Sequence, residues 1–241
     1  TSTVTTAGKV INVAAGTYLE KNKCNLSIGV SIKGAADSTT IIKTNYINSL
    51  YSGGILTLYS SVRNTQGNQY ISGLTFDGMN ETCYRAIVVN GRGGVEIKNC
   101  TFKDFKDSPA AFHGESYEYY KEAVTWVTNN KFRYNKVTNC TNNTSGFQGL
   151  WFAGQDGFEV AYCNFQNLKG GKSGDAIGSH TNKRWKIHHN TINRLPYQPG
   201  YWNFAVEIRW NYGECDYSYN NVMGCSDFCW NYPGQYDYSI D

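Results

Sequence analysis

The sequence predicts an all-β protein, a single right-handed parallel β-helix of about eight coils. Three observations carry that prediction. A strand, turn, strand unit recurs: in residues 174–192 two alternating runs, 176–180 and 185–192, flank a polar Thr-Asn-Lys-Arg turn, and the same unit stands at 86–102, 149–165 and 205–222. The apolar positions Phe76, Phe102, Val137, Phe165, Ile192 and Val222 are equivalent, and they are separated by 26, 35, 28, 27 and 30 residues. A period in this range marks a solenoid, in which each coil buries its apolar face only against its neighbours. Finally, 25 Gly and 19 Tyr against 4 Pro, with 15% aromatic and 17% charged residues, suit a turn-rich β protein, and no amphipathic helical stretch competes.

Taken in order, residues 9–13, 26–28 and 30–33 are short β runs punctuated by Gly16, Gly29 and Gly34, and 41–43, 54–58 and 68–78 continue them. An evenly spaced antiparallel sandwich would need two-residue hairpin turns, and the turns here are too irregular for that. No Pro/Ser/Gly-rich linker divides the chain, so residues 1–241 form one domain. Two positions before the five markers that follow Phe76 stand Cys100, Asn135, Cys163, Asn190 and Asn220, which predicts an internal ladder of amide and thiol side chains. Two insertions, 112–121 and 194–203, are aromatic and suit the walls of a groove.

Alternation turns Ile87, Val89, Leu150, Phe152, Ala176, Gly178, Val206 and Ile208 inward. It leaves Asn90, His113, Trp151, Asp175, Ser179, Glu207 and Arg209 outward, with His188 and His189 one out and one in. Asp175 and Glu207, on successive coils, are a carboxylate pair of the kind that performs general acid–base hydrolysis of a glycosidic bond. Trp151, Trp202, Trp210, Tyr117, Tyr119 and Tyr197 are flat side chains suited to stacking on a sugar ring.

The succession of a strand, Ala15-Gly16-Thr17-Tyr18, a strand, and Ile32-Lys33-Gly34-Ala35 resembles the first coils of the pectate-lyase-like superfamily of right-handed parallel β-helix proteins. Gly174-Asp175-Ala176-Ile177-Gly178-Ser179 also looks like the Asp-bearing strand of polygalacturonase-type hydrolases, without that family's second adjacent Asp, its Gly-His-Gly or its Arg-Ile-Lys, so that Asp175 alone carries over. The resemblance implies an extracellular polysaccharide, uronate-containing, as the bound substrate, and β-elimination as the first chemistry. In that version Arg209 or Lys183 neutralises the uronate, His113 or His180 moves the proton, Asp175 or Glu207 holds Ca2+, and Arg184 joins the aromatic residues on the substrate. Elimination is preferred because cations outnumber carboxylates among these residues. The alternatives are an Asp175/Glu207 glycoside hydrolase, or a non-catalytic β-helical adhesin, surface-layer or tailspike-like module.

A net charge of +3, dispersed along the strands, gives no basic stripe for nucleic acid, and no apolar run reaches the roughly 20 residues that span a bilayer. The expected setting is secreted, periplasmic or cell-surface, with a start at Thr1 that reads as processed or truncated, and with one or both end caps missing, so that a partner or further domain packs on the solenoid ends. The eight Cys lack paired zinc spacing; Cys100 and Cys163 read as buried thiols, and for Cys225 and Cys229 a disulfide and free thiols both stand open. Six Asn-X-Ser/Thr sequons, at Asn25, Asn80, Asn99, Asn139, Asn142 and Asn143, read as chance, with Asn99 inward by alternation.

Overall fold

The computed structural model describes residues 6–44, 53–80, 83–114, 125–142, 146–170, 173–194 and 202–232. These wind into a parallel β-helix with three long sheets. The first sheet stacks eight strands: Val10–Val13, Ser31–Gly34, Thr65–Ser72, Arg92–Lys98, Lys131–Arg133, Glu159–Ala161, Lys186–His188 and Asp216–Ser218. The second also stacks eight, from Gly16–Glu20 through Thr75–Asp77 and Thr101–Lys103 to Asn221–Met223. The third runs from Cys24–Asn25 through Leu56–Tyr59, Ile87–Asn90, Ala110–His113, Gly146–Ala153, Ser173–Lys183 and Trp202–Tyr212 to Asp227–Tyr232.

The predicted repeat is the observed register. Phe76 pairs with Phe102, Phe102 with Val137, Val137 with Phe165, Phe165 with Ile192 and Ile192 with Val222. Their side chains fill the interior in columns, with Phe76 and Phe102 stacked at 5.4 Å and Phe102 and Phe132 at 5.9 Å. The amide ladder runs beside them. Asn135 Oδ1 accepts from the Cys100 N–H at 3.0 Å and its Nδ2 donates to Ile97 O; Asn190 Oδ1 accepts from the Cys163 N–H at 2.9 Å while its Nδ2 donates to Val160 O. Asn220 repeats the motif one coil on, accepting from the Asn190 N–H. At each coil corner a tight turn leaves backbone groups unpaired inside the tube, and an inward Asn supplies the missing donor and acceptor.

The residue before each ladder position carries the turn itself. Asn99, Tyr134, Tyr162, His189 and Tyr219 all have positive φ, between 50° and 57°. That region is strained for bulky side chains, and stacking of the rings on one another offsets it: Tyr134 lies on Tyr162 at 5.0 Å, Tyr162 on His189 at 5.1 Å and His189 on Tyr219 at 4.9 Å. Two expectations are corrected here. Asn99 is an exposed turn residue and not inward, and both His188 and His189 lie outside the tube, because the turn interrupts strand alternation one residue before the ladder.

A third correction concerns parity in the third sheet. Ala176 and Ile177 are both fully buried in the core, as are Ala205 and Val206 one coil on, and the neighbouring strand shows a register shift between Phe147 and Leu150. Two consecutive inward residues flip the alternation. Ser179 therefore lies inward, in register with Phe152 and Ile208, and Gly178 lies in the outward column between Trp151 and Glu207.

All eight cysteines are free thiols, Cys225 and Cys229 included. Burial drives the Cys100 and Cys163 thiols up to about 12, so both remain neutral core groups. On the outer face of the first sheet Glu96, Lys131, Glu159, Lys186 and Asp216 follow one another in register with alternating sign, which is how the charge is dispersed.

Replacing Asn190 by Ala leaves the Cys163 N–H and the Val160 carbonyl without partners in the dry interior. The expected loss of stability is about 2–4 kcal/mol, against less than about 0.5 kcal/mol for Lys136→Ala on the exposed face of the second sheet; urea midpoints of the two variants check it.

Candidate functional site

Two columns of side chains stand on the outer face of the third sheet. One runs Thr57, Val88, Ala111, Trp151, Gly178, Glu207, and the other Tyr59, Asn90, His113, Ala153, His180, Arg209. Small residues make room for large ones: Ala111 and Gly178 flank Trp151, and Ala153 separates the two histidines. With strands spaced at roughly 4.8 Å, His113 and Arg209 are about 14 Å apart along the solenoid.

The upper coils gather a compact titratable cluster. His180 Nε2 is 3.5 Å from Glu207 Oε1, and Arg209 Nε forms an ion pair with the same oxygen. Asp175, in register with Phe204, lies beside Arg194 and Arg209, whose charges act on it. Arg194 is anchored by donating to Gly174 O at 2.8 Å, to Phe204 O at 3.4 Å and to Asn203 Oδ1 at 2.9 Å. Asp175 is 3% exposed, His180 3% and Glu207 4%. Asp175 Oδ1 is buried and has no hydrogen-bond partner among the described residues.

Burial controls the protonation of this cluster. It raises Asp175 to about 7, against the opposing pull of Arg194 and Arg209. It lowers His180 to about 3, helped by the charge of Arg209. The outcome is a carboxyl that exchanges a proton near neutrality and, five residues along the same strand, a neutral imidazole.

Trp151 joins this cluster to a second. Its indole is 8% exposed, with His180 at 6.3 Å on one side, His113 at 4.4 Å on the other, and the Arg85 guanidinium 5.7 Å over the ring. It therefore spaces two titratable clusters and offers no open flat face to a sugar. Below it Arg85 Nη1 is 3.1 Å from His113 Nε2, and Arg85 Nη2 is 3.3 Å from Asp107 Oδ2. Burial raises Asp107, outweighing the opposing charge of Arg85, and lowers His113 well below its ordinary value.

The structure thus brings together Asp175, His180, Glu207, Arg209 and Trp210, whose ring is 6.2 Å from His180, and it sets His113 beyond Trp151. Lys183 and Arg184 lie three and four residues past His180, at the strand end. Lys183 Nζ sits 5.9 Å over Trp126, and Arg184, 62% exposed at its side chain, pairs with Asp156 at 2.6 Å. They belong to that corner and not to the cluster. Tyr117, Tyr119 and Tyr197 lie outside the described residues, and of Trp202 only the backbone, in Trp202–Tyr212, is placed. Arg85, Asp107 and Arg194 escaped the sequence reading because they precede or follow the strands, where alternation says nothing of direction; a buried Arg is recognisable only once its burial is seen.

Ca2+ does not fit this donor set. Glu207 already faces Arg209, Asp175 faces Arg194 and Arg209, and among the described residues no three His, Cys, Asp or Glu side chains converge as metal ligands. A concavity of about 380 Å³ on the first sheet, lined by Tyr70, Glu96, Lys131 and Arg133, contains only the surface ion-pair ladder and no buried acid. Among the described residues no helix is long and apolar enough to cross a membrane.

No family model matches the chain, and no curated protein does. Among solved structures it is similar to ORF18 of Geobacillus virus E2, at 13% identity and a TM-score of 0.47 over 93% of this chain and 54% of that one, so that it spans about half of the viral protein. It is similar to an alginate lyase from a Paenibacillus species at 11% identity and a TM-score of 0.47, over 92% of this chain and 93% of that one. It is also similar to the A-module of the mannuronan C-5 epimerase AlgE4 of Azotobacter vinelandii, at 11% identity and a TM-score of 0.34, over 96% and 91% of the two chains.

Because the folded state holds the Asp175 proton up to about 7 while an unfolded carboxyl releases it near pH 4, the native state binds the extra proton between these values and loses stability as pH rises through that window. Asp175→Asn removes the effect. Relative to the parent, its unfolding free energy should be unchanged at pH 4 and gain a few kcal/mol by pH 8, as read from urea midpoints at the two pH values.

Proposed function

We propose that the chain binds and cleaves an extracellular polysaccharide along the outer face of the third sheet, with Asp175 as the proton-transferring group. The observation that carries this reading is a buried carboxyl held near pH 7 under the charge of Arg209, the same guanidinium that pairs with a second carboxyl group, Glu207. A carboxyl that keeps its proton near neutrality and a second one facing a cation suit the roles of acid and base. Protonated Asp175 donates to the glycosidic oxygen as the C1–O bond breaks, Glu207 takes a proton from the attacking water, and the water oxygen ends on C1. A substrate in place of water keeps the site dry and so keeps Asp175 protonated.

Hydrolysis is the version these contacts favour. The count of cations that favoured elimination loses its force once they are paired, Arg209 with Glu207 and Arg184 with Asp156. Elimination at a uronate remains a second reading on one observation, the neutral imidazole of His180 beside Arg209, an arrangement able to act on a C5 proton next to a cation.

Incubation with a panel of uronate and neutral glycans separates the outcomes. Hydrolysis yields new reducing ends without ultraviolet absorbance from a 4,5-double bond, and elimination yields both. Asp175→Asn and Glu207→Gln should each lower the rate by about 10²–10⁴-fold, and the parent rate should fall above pH 7 as Asp175 loses its proton. Absence of cleavage across the panel replaces this reading with the non-catalytic module, and full activity in Asp175→Asn removes Asp175 from the chemistry.

A further inference from the structure

Arg85 and Asp107 stand outside every role assigned so far, yet both are buried on the coils that carry His113. A guanidinium has five N–H donors, no acceptor, and stays charged. The 3.1 Å contact from Arg85 Nη1 to His113 Nε2 is a hydrogen bond only when Nε2 carries its lone pair. The proton of a neutral imidazole then sits on Nδ1, and an imidazolium is excluded because it would set N–H against N–H.

Arg85 is itself fixed on three sides. Its Nη2 meets Asp107 Oδ2 at 3.3 Å, its charge lies 5.7 Å over Trp151, and its Nη1 meets His113. Asp107 is held in turn, its Oδ1 accepting from Ser108 Oγ at 3.3 Å. The ring of His113 faces Trp151 from Gly146–Ala153, and in register it neighbours the uncharged Asn90 and Ala153. Arg85, from the segment before Ile87–Asn90, is a charge in contact with it, Asp107 pairs with Arg85, and Arg63 reaches the adjacent Gly114 carbonyl at 3.0 Å.

We propose that Arg85, clamped by Asp107, is a positioning residue that locks His113 as the neutral Nδ1–H tautomer, so that His113 serves the site as a hydrogen-bond donor and not as its base. Burial of the ring beside a fixed positive charge disfavours protonation in the same direction. The proton-moving role then stays with Asp175. The link to catalysis rests on the reading of the site as polysaccharide-cleaving; the tautomer does not.

The test is 15N NMR of histidine-labelled protein. With four histidines in the chain, His113→Gln identifies the resonances of interest. The parent should show His113 neutral, with protonated Nδ1 and bare Nε2, and without titration between pH 5 and 8. In Arg85→Ala the midpoint should rise by one pH unit or more and the single tautomer should give way to a mixture; Arg85→Met, which removes the charge and the donor but keeps much of the side-chain bulk, supplies the same readout if Arg85→Ala does not fold. Protonation on Nε2 in the parent, an ordinary titration near pH 6.5, or indifference of the ring to both substitutions overturns the proposal. On a cleaved glycan Asp107→Asn should lower kcat with KM little changed. A locked tautomer in a protein that cleaves nothing sinks the enzymatic reading alone; cleavage by a protein with a titrating His113 sinks this one alone.

Discussion

Coil-to-coil register is the constraint on which everything else in this molecule depends. Backbone pairing alone does not fix it, since parallel strands hydrogen-bond equally well one residue out of step, but a slip of one residue would turn every inward side chain outward. The amide ladder at Asn135, Asn190 and Asn220 fixes it from inside. Each Asn bridges a turn of the preceding coil to its own, and a shifted coil would bury those backbone groups without partners. The phenylalanine columns then fill the space the ladder defines, at separations of 5.4 to 6.4 Å between successive rings.

The titratable clusters follow from that register. Glu207 and His180 are 27 residues apart in sequence and meet only because their strands pair with His180 opposite Arg209. Asp175 is drawn into the same group by the buried Arg194, which crosses from the end of one coil to the backbone of two strands. Burial then sets the chemistry: low-polarity surroundings lift a carboxyl and depress an imidazole, so one physical cause produces a group able to give a proton near neutrality and another on the same strand unable to hold one.

How much of this could be read from the sequence depended on whether a residue obeyed a period. The solenoid, its coil length, the six apolar markers and the Asn/Cys ladder were legible because every coil repeats them. The outward placement of Trp151, Glu207 and Arg209 was legible by alternation. Alternation failed at Ala176–Ile177, where two adjacent side chains enter the core and invert the parity of Gly178 and Ser179, and at Asn99 and His189, where a left-handed residue breaks the strand. Burial was the second blind spot. A column of outward Asp, His and Glu reads as solvated, and nothing in its spacing reveals that Asp175 and Glu207 are nearly inaccessible or that Arg85 stacks over Trp151.

The paired strands of the third sheet also make distance a discrete quantity in this protein. Each coil touches only the one before and the one after, so that a duplicated or deleted coil is a self-contained event that leaves the remaining ladder intact. Coils outside the span from Ile87–Asn90 to Trp202–Tyr212 can come and go without disturbing the titratable groups, whereas any such change between Ala110–His113 and Trp202–Tyr212 moves His113 relative to Glu207 by a whole strand spacing. A change in the number of coils at either end therefore leaves the separation of His113 and Glu207 as it is.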